Sequence, residues 1–408
     1  MGRRRARRQR GRPVKWFVPG RLEVLGKHTD YMGGRSLLAA VDRGITIEVT
    51  DSDAGFVAST TALPGEIRLE PGTDPGLPGG HWGNYVQAVL DRLASNFGDL
   101  RSARIVIDSD LPLASGMSSS SALVVAVALA LADHNGLRER EEWTSNISDD
   151  VDLAGYMATM ENGLTFGTLE GLKGVGTFGG SEDHTAMLCC HPGKLTEFTF
   201  CPIVEGESVD LPEDLTFVVA VSGVLAEKTG AALEHYNSLS ANAREIVEAW
   251  NDATGSEDAV VADALASDED ALEGLRAVTA HDPSLSRRLS AFVTESEVVI
   301  PRAVAALRAG DLAAFGAAAD ESHRNAADVL GNQVPETNRL QALARELGAI
   351  ASAGFGAGFG GSVWALVPVA DAQAFGDRWL TAYLAEFPEV AQTASIVVTR
   401  PGGPARRL

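Results

Sequence analysis

A run of four serines, residues 118–121, precedes an apolar segment at residues 122–132. Because that segment has no polar side, we predict a helix that is buried on every side. The unpaired N–H groups and the dipole at its start favour a phosphate, and Gly116 leaves the backbone open to one. Serine hydroxyls are also hard oxygen ligands suited to Mg²⁺. The pattern indicates a phosphate loop that is not of the Walker A type, with a serine-rich linker into a core helix as the alternative.

Two further segments combine polar side chains with glycine. Residues 19–34 hold Arg21, Lys27, His28, Asp30 and four glycines, which suits a loop that hydrogen-bonds several hydroxyl groups. Residues 354–361 contain five glycines, which implies close backbone approach to a ligand or very tight turns. A flexible linker is the alternative for the last segment, but its two phenylalanines and the strand predicted after it argue against a linker.

Composition narrows the class of protein. The 408 residues exceed one ordinary core and suit two domains. A net charge of −21 argues against a nucleic-acid partner, and we interpret the arginine-rich residues 1–12 as a disordered basic leader. No apolar segment is long enough to span a membrane, and three cysteines without framework spacing favour a reducing, cytoplasmic location. An acidic protein of this kind must bind phosphate through local backbone groups.

Strands and helices are mixed along the chain without regular alternation, which is typical of the α+β class. We predict strands at residues 14–18, 44–49, 103–107, 217–221, 363–367 and 394–399. We predict helices at 82–93 and 122–132, and a largely helical region from 231 to 347. Glycine and proline predict loops at 64–80, 164–180 and 351–361. Irregular, acidic residues at 202–212 mark the predicted boundary between two domains.

Taken in order, the three polar segments resemble the motifs of the GHMP kinases, and among these the galactokinases most closely. Residues 21–34, Arg-Leu-Glu-Val-Leu-Gly-Lys-His-Thr-Asp-Tyr-Met-Gly-Gly, resemble the galactokinase signature. Residues 111–123 resemble the phosphate loop of the family, and residues 354–361 resemble its third motif. The resemblance covers nearly the whole chain from Pro13 onward, with weaker similarities at residues 82–86, 306–311, 315–316, 322–323 and 335–336.

The resemblance implies a two-domain fold. A ribosomal-protein-like N-terminal domain, residues 13–205, would carry the first two motifs, and a ferredoxin-like C-terminal domain, residues 206–408, would carry the third. ATP and a sugar would meet in the cleft between them. The implied reaction moves the terminal phosphate of ATP, with Mg²⁺ as cofactor, to the anomeric hydroxyl of galactose. We expect a monomer or a weak homo-oligomer, with no membrane partner.

The resemblance also assigns roles to individual residues. Asp183, in residues 179–184, matches the catalytic aspartate, and a hydrophobic strand predicted after it favours this role over that of an ordinary loop acid. Arg21 would neutralise the developing charge on the attacking hydroxyl and orient Asp183. The implied ATP contacts are Gly116, Ser118, Ser119 and Ser120, and the implied metal ligands are Ser119 and Glu161. The implied sugar contacts are Lys27, His28, Asp30, Gly180 and Tyr236, of which Tyr236 could equally be a half-buried helix residue.

Three departures from the galactokinase pattern leave the sugar open. Lys27 stands where galactokinases carry a glutamate that meets a sugar hydroxyl, and lysine donates hydrogen bonds but accepts none. Either the substrate bears an acid, such as a uronic acid, or Lys27 turns to solvent and other groups hold the sugar. The segment between Glu161 and Asp183, which contains Lys173, is longer than usual and could reshape the sugar pocket. Ser362 replaces a common cysteine, a change that we interpret as neutral.

Three other functions are therefore considered as alternatives to the phosphorylation of galactose. The nearest is a sugar 1-kinase acting on a uronate, an arabinose-like sugar or an unusual hexose. A catalytically silent sugar sensor is disfavoured because the residues that such proteins tend to lose are present, namely Arg21, Ser119, Glu161 and Asp183. A kinase of homoserine or mevalonate is disfavoured because residues 28–31, His-Thr-Asp-Tyr, are typical of the sugar kinases.

Overall fold

The computed structural model describes residues 12–112, 116–224 and 230–408, with the side chains of residues 230–235 left aside. The predicted basic leader lies outside the described residues except for Arg12. In chain order the strands are β1 (Val14–Leu25), β2 (Arg35–Asp51), β3 (Phe56–Thr60), β4 (Leu63–Leu69), β5 (Ala103–Ser109), β6 (Lys194–Thr199), β7 (Val204–Asp210), β8 (Leu215–Val221), β9 (Ala351–Phe355), β10 (Ser362–Pro368), β11 (Ser395–Thr399) and β12 (Arg406–Arg407).

The helices are distributed unevenly between the strands. Most of them lie between β8 and β9, where the sequence predicts a largely helical region. The helices are α1 (Trp82–Phe97), α2 (Ser119–Asn135), α3 (Glu141–Thr144), α4 (Asp150–Asn162), α5 (Glu182–Cys189), α6 (Gly230–Thr254), α7 (Val261–Ser267), α8 (Ala271–Thr279), α9 (Pro283–Phe292), α10 (Ile300–Arg308), α11 (Leu312–Arg324), α12 (Pro335–Glu346) and α13 (Ala372–Glu386). Two π-helical stretches, Val293–Val299 and Asn325–Leu330, follow α9 and α11.

The larger sheet is built on the long hairpin of β1 and β2. Its strand order is β12-β1-β2-β5-β3-β4, while β6 pairs with the start of β2 and β7 pairs with β6. All pairings are antiparallel except the one between β3 and β5, so the sheet is mixed. The short connection between β1 and β2, residues 26–34, is part of the polar segment at residues 19–34. It is called the sugar loop below because it carries Lys27, His28 and Asp30, which are predicted to contact the sugar.

Helix α2 occupies the centre of the first half of the molecule. Every residue from Ser121 to Ala132 is buried, which confirms the prediction of a helix without a solvent face. The helix packs against β1, β2, α1 and α4. Burying an aliphatic side chain stabilises a fold by about 1.5–3 kcal/mol. The burial of α2 on all sides therefore holds the first residues of this helix in place.

The smaller sheet has the antiparallel order β11-β8-β10-β9. Helices connect β8 to β9 and β10 to β11, which is the β-α-β-β-α-β pattern of a ferredoxin-like fold. Trp364, on β10, donates its indole N–H to the carbonyl of Val24 on β1 at 3.1 Å. The smaller sheet therefore lies directly against the strand that leads into the sugar loop.

Three details of the sequence prediction are wrong. The loop predicted at 64–80 begins inside β4, an exposed edge strand that tolerates Pro64 because one side of an edge strand makes no ladder bonds. The loop predicted at 351–361 begins as β9, whose small residues fit between β10 and α11. The segment after Asp183 is α5 and not a strand. The predicted domain boundary stays a prediction: residues 205 and 206 lie inside β7, and β12 returns the chain to the larger sheet.

Candidate functional site

A partly buried ion pair joins the first strand to the start of α5. Arg21, on β1, donates from Nε to Oδ1 of Asp183, the second residue of α5, at 2.7 Å. The other carboxylate oxygen, Oδ2, accepts hydrogen bonds from the hydroxyls of Ser118 and Ser121. Asp183 is thereby fixed at the first turn of α2, beside the serine run.

The geometry of the phosphate loop follows from the start of α2. Ser118 precedes the helix with φ 53°, in the left-handed region, which costs about 1–2 kcal/mol for a residue other than glycine. The same loop is tied to β1, because Arg21 donates its backbone N–H to the carbonyl of Met117 at 3.2 Å and its guanidinium to that of Gly116. Strand β1, which supplies Arg21, thus also positions the loop before α2.

Carboxylates surround the Arg21 guanidinium. Burial alone would lower the pKa of Arg21, but the Asp183, Glu182 and Glu23 carboxylates raise it above its ordinary value. Glu182 accepts a hydrogen bond from Ser36 at 2.7 Å, and burial, with the charges of Glu23 and other acids, raises the Glu182 pKa well above its ordinary value. Arg21 therefore stays protonated, and Glu182 loses its proton less readily than an exposed glutamate does.

The third glycine segment closes the site from the side of the smaller sheet. The backbone N–H of Gly356 donates to Oε2 of Glu23 at 3.1 Å. A Cβ placed on Gly356 would lie 3.2 Å from the carbonyl oxygen of Gly116, so the glycine segment and the phosphate loop are neighbours. All three motifs of the sequence analysis therefore meet at one place.

The residues assigned to the sugar converge on the other side of Asp183. Asp30 accepts a hydrogen bond from the backbone N–H of Glu182 at 3.2 Å, and burial raises its pKa. A Cβ on Gly180 would lie 2.7 Å from Cγ of Asp30, so the glycine permits this close approach. The Tyr236 hydroxyl lies beside Gly179, and its ring centroid is 5.3 Å from that of His28. Together these groups offer donors and acceptors to a polyhydroxylated ligand.

His28 is held in a backbone conformation with φ 59°. Its Nδ1 is 2.8 Å from the hydroxyl of Tyr31, and its Nε2 is 3.0 Å from the carbonyl oxygen of Ala357. Arg288, on α9, donates to the carbonyl of His28 and to the Tyr31 hydroxyl. Burial raises the pKa of Tyr31 to about 12, so its hydroxyl keeps its proton. The second half of the chain therefore sets the orientation of the sugar loop.

Lys27 is buried, with 3% of its surface exposed, so the suggestion that it turns to solvent is wrong. Its ammonium group donates to the hydroxyl of Ser322, on α11, at 3.0 Å. That hydroxyl in turn donates to Oε1 of Glu295 at 2.7 Å. The Lys27 ammonium group is therefore linked to a buried carboxylate through one hydroxyl group.

The residues proposed for Mg²⁺ have suitable chemistry. Ser119 is the first residue of α2, and Glu161 is a buried residue in the last turn of α4 with Oε1 3.2 Å from Nε2 of His184. Hydroxyl and carboxylate oxygens suit Mg²⁺. Among the described residues, no group of three or more His, Cys, Asp and Glu side chains could hold a metal. A Mg²⁺ ion here would take its remaining ligands from nucleotide phosphates and water, as it usually does in nucleotide sites.

Several residues of this constellation were not predicted from the sequence. Glu23 and Glu182 flank the pair of Arg21 and Asp183, and Ser121 contacts Asp183 from the serine run already identified. A buried acid next to a proposed catalytic acid was the available signal for Glu182. Arg288 and Glu295 carry no such signal, because they lie more than 250 residues away from the loop that they contact.

Family models match three parts of the chain. The GHMP kinases N terminal domain matches residues 84–171, and the GHMP kinases C terminal matches residues 303–385. The galactokinase galactose-binding signature matches residues 7–51, which contain Arg21 and the sugar loop. The chain belongs to the GHMP kinases, as the sequence motifs predict.

Similarities to known proteins, in sequence and in structure, support this family assignment. A galactokinase of Roseiflexus sp. is 28% identical over 94% of the chain and 90% of its own length, and one of Streptomyces coelicolor is 29% identical over 88% and 86%. The structure of Lactococcus lactis galactokinase complexed with galactose has a TM-score of 0.79 at 22% identity, covering 97% of this chain and 95% of that one. An L. major mevalonate kinase is more distant, with a TM-score of 0.58 at 17% identity, covering 96% of each chain. The predicted two-domain α+β fold is confirmed.

One further prediction concerns the membrane. No helix in the described part of the chain is long and apolar enough to cross a membrane.

Proposed function

We propose that the chain is an ATP-dependent kinase that phosphorylates the anomeric hydroxyl of galactose, giving ADP and galactose 1-phosphate. The observation that carries this proposal is the position of Asp183. Its carboxylate lies between Arg21 and the serines at the start of α2, with the proposed sugar contacts next to it. The galactose-binding signature and the galactokinase relatives support galactose as the acceptor.

In the proposed reaction the anomeric oxygen attacks the γ-phosphorus of ATP. The new bond joins this oxygen to phosphorus, and the bond between the γ-phosphorus and the β,γ-bridging oxygen breaks to release ADP. Asp183 accepts the hydroxyl proton, and Arg21 offsets the negative charge that develops on the attacking oxygen. Positioning and electrostatic stabilisation of this kind account for most of the catalysis in phosphoryl transfer.

The phosphates of ATP are assigned to the start of α2. Gly116 and residues 118–120 lie where the backbone N–H groups and the helix dipole attract an anion. Ser119 and Glu161 would hold Mg²⁺. When bound, Mg²⁺ would offset charge on the β- and γ-phosphates.

The sugar is assigned to the pocket beside residues 26–34. Asp30, as a carboxylate, would accept hydrogen bonds from sugar hydroxyls, while His28, Tyr236 and the backbone at Gly180 would contact other parts of the ring. Asp30 and Gly180 are packed against each other, and Asp30 also receives the backbone N–H of Glu182 at the start of α5. This arrangement supports a sugar whose reacting hydroxyl points towards Asp183.

A catalytically silent sugar sensor is the rival from another class. Such a protein needs the sugar pocket but has no use for a fixed carboxylate between an arginine and the phosphate loop. Asp183 is held by at least three side chains, one of them the buried Arg21. Because so many contacts fix the position of Asp183, an enzyme is favoured over a sensor.

The test is ADP release from MgATP with a panel of sugars, namely galactose, arabinose, glucose, galacturonate and glucuronate. We expect the highest kcat/KM with galactose. A clear preference for a different sugar would replace galactose in the proposal. Absence of turnover with the whole panel, combined with measurable galactose binding by calorimetry, would support the sensor instead.

A further inference from the structure

Lys27 forms part of a buried network that ties the sugar loop to the second half of the chain. Its ammonium group contacts the Ser322 hydroxyl, and this hydroxyl contacts Glu295 in the π-helical stretch after α9. Lys27, Ser322 and Glu295 are each exposed by 3% or less. An ammonium group so enclosed requires a nearby negative charge, and Glu295 provides one.

Glu295 is the centre of this network. Its Oε1 accepts the backbone N–H of Gly26 at 3.0 Å in addition to the Ser322 hydroxyl, and its Oε2 is 3.5 Å from the side-chain amide of Asn325. Gly26 begins the loop that continues through Lys27 to His28. The same carboxylate therefore holds both the backbone of the loop and, through Ser322, its lysine side chain.

The charged groups around the sugar loop indicate how well the site would accept a sugar that bears a carboxylate. Five buried or nearly buried carboxylates lie around it, against three cations. The carboxylates belong to Glu23, Asp30, Glu182, Asp183 and Glu295, and the cations belong to Arg21, Lys27 and Arg288. Burial raises the pKa of Glu23 to about 7, and the charges of Lys27 and Arg21 oppose this rise. Lys27 therefore already lies beside acids of the protein, with which a carboxylate on the sugar would have to compete.

We propose that Lys27 is a positioning residue, which fastens the sugar loop to the second half of the chain through Ser322 and Glu295. This inference rests on the proposed function and gives a role to a residue that departs from the galactokinase pattern. Lys27 holds the backbone that presents His28 and Asp30, and it does not receive a substrate carboxylate. The replacement of a family glutamate by lysine is then balanced inside the protein by Glu295.

The pairing is tested by thermal unfolding of Lys27→Met, Glu295→Gln and the double variant. Each single change leaves a buried partner without its counterpart, so each should lower the Tm clearly. The double variant should lose less than the sum of the two, since neither charge remains. The exposed residues Lys15 and Glu142 supply control changes, Lys15→Met and Glu142→Gln, which should leave the Tm nearly unchanged. Strictly additive losses would overturn the pairing.

The positioning role is tested by kinetics with the same variants. Lys27→Met should raise the KM for galactose about tenfold, as expected when a binding loop is slightly displaced, with the KM for ATP unchanged and kcat nearly preserved. Glu295→Gln should give the same pattern. The wild-type protein should use galactose and discriminate against galacturonate. Turnover of galacturonate in preference to galactose, lost in Lys27→Met but retained in Glu295→Gln, would overturn the proposal.

These experiments separate the inference from the function on which it rests. If the wild-type protein turns over none of the sugars, the proposed function fails, and the kinetic part of the inference fails with it. The unfolding measurements need no substrate, so they would still decide whether Lys27 is paired with Glu295.

Discussion

The proposed catalytic pair, Arg21 and Asp183, and the sugar loop are neighbours, but different parts of the chain hold them in place. Arg21 and Asp183 are held by β1, α2 and α5, all in the first half of the chain. The loop at residues 26–30 is held in addition by side chains of the second half, namely Arg288, Glu295 and Ser322. The proposed catalytic pair therefore depends on packing within the first half, whereas the loop depends also on how the two halves meet.

This difference separates two kinds of kinetic effect. A change at the catalytic pair removes an interaction that matters most in the transition state and should reduce kcat. A change in the contacts from the second half displaces a binding loop and should act mainly on the KM for the sugar. Variants of Asp183, Gly180 and Arg288 test this separation between effects on kcat and effects on KM.

Asp183→Ala should have the largest effect. Loss of the proposed proton acceptor should lower kcat about 10³-fold, within the range for general base catalysis. ATP binding, measured by calorimetry, should remain nearly unchanged because the phosphate loop is retained. Asp183→Asn is the matched control for shape, and it should be as inactive in ADP release as the alanine variant. An active asparagine variant would contradict the role of Asp183 as base.

Gly180→Ala should affect the sugar more than the nucleotide. The new Cβ would lie 2.7 Å from Cγ of Asp30, so the aspartate must move. A displacement of about 1 Å can lower kcat/KM about 10²-fold, and we expect most of this loss in the KM for galactose. Gly79→Ala is the control, since a Cβ there meets no atom within 4 Å. Equal losses in the two variants would exclude a specific effect on the pocket.

Arg288→Met tests whether α9 orients the sugar loop. The buried guanidinium contacts the His28 carbonyl and lies 5.5 Å from the Tyr31 ring centroid. Hydrogen bonds to charged groups contribute about 1.5–3 kcal/mol, so the KM for galactose should rise tenfold or more, with a smaller change in kcat. The exposed neighbour Arg287→Met is the control and should behave as wild type. A loss confined to kcat would place Arg288 with the catalytic pair instead.

Glu23→Gln should have the smallest effect, seen in the pH dependence of stability. The folded-state pKa of Glu23, raised by burial to about 7, exceeds its ordinary value of 4.5. Between these values the unfolded chain releases a proton that the folded chain keeps, so stability falls as pH rises. The slope is at most about 1.4 kcal/mol per pH unit, and it should be reduced in the variant. Urea unfolding at pH 5 and 7.5 measures it.

The control for this pH effect is the exposed residue Glu142. Glu142→Gln should unfold with the same pH dependence as the wild-type protein. Equal slopes for wild type and Glu23→Gln would show that the Glu23 pKa is not raised.

Much of the fold and of the candidate site could be predicted from the sequence. The buried helix α2, the α+β class and the family follow from the apolar segment and from three motifs in order. The structure brings Arg21, Asp183 and Ser118 together as the motifs predict, and Asp30, Gly180 and Tyr236 lie together beside them. The assignment of these residues to ATP, metal and sugar stays a prediction.

The errors have physical causes. Glycine and proline predict loops, but in β4 and β9 the pairing of neighbouring strands overrides that tendency. The residues after Asp183 form a helix because the chain packs there against α4, which local sequence does not indicate.

The sequence by itself predicted the chemical groups, since the serine run, the polar segment and the glycine segment are short motifs recognisable from residue types and spacing. Only the tertiary structure decided where the side chain of Lys27 lies. A lysine in a loop can meet solvent, a substrate carboxylate or a buried acid, and local sequence is the same in all three cases. Its burial against Ser322 and Glu295, which lie 295 and 268 residues further along the chain, settles its surroundings through contacts between distant segments.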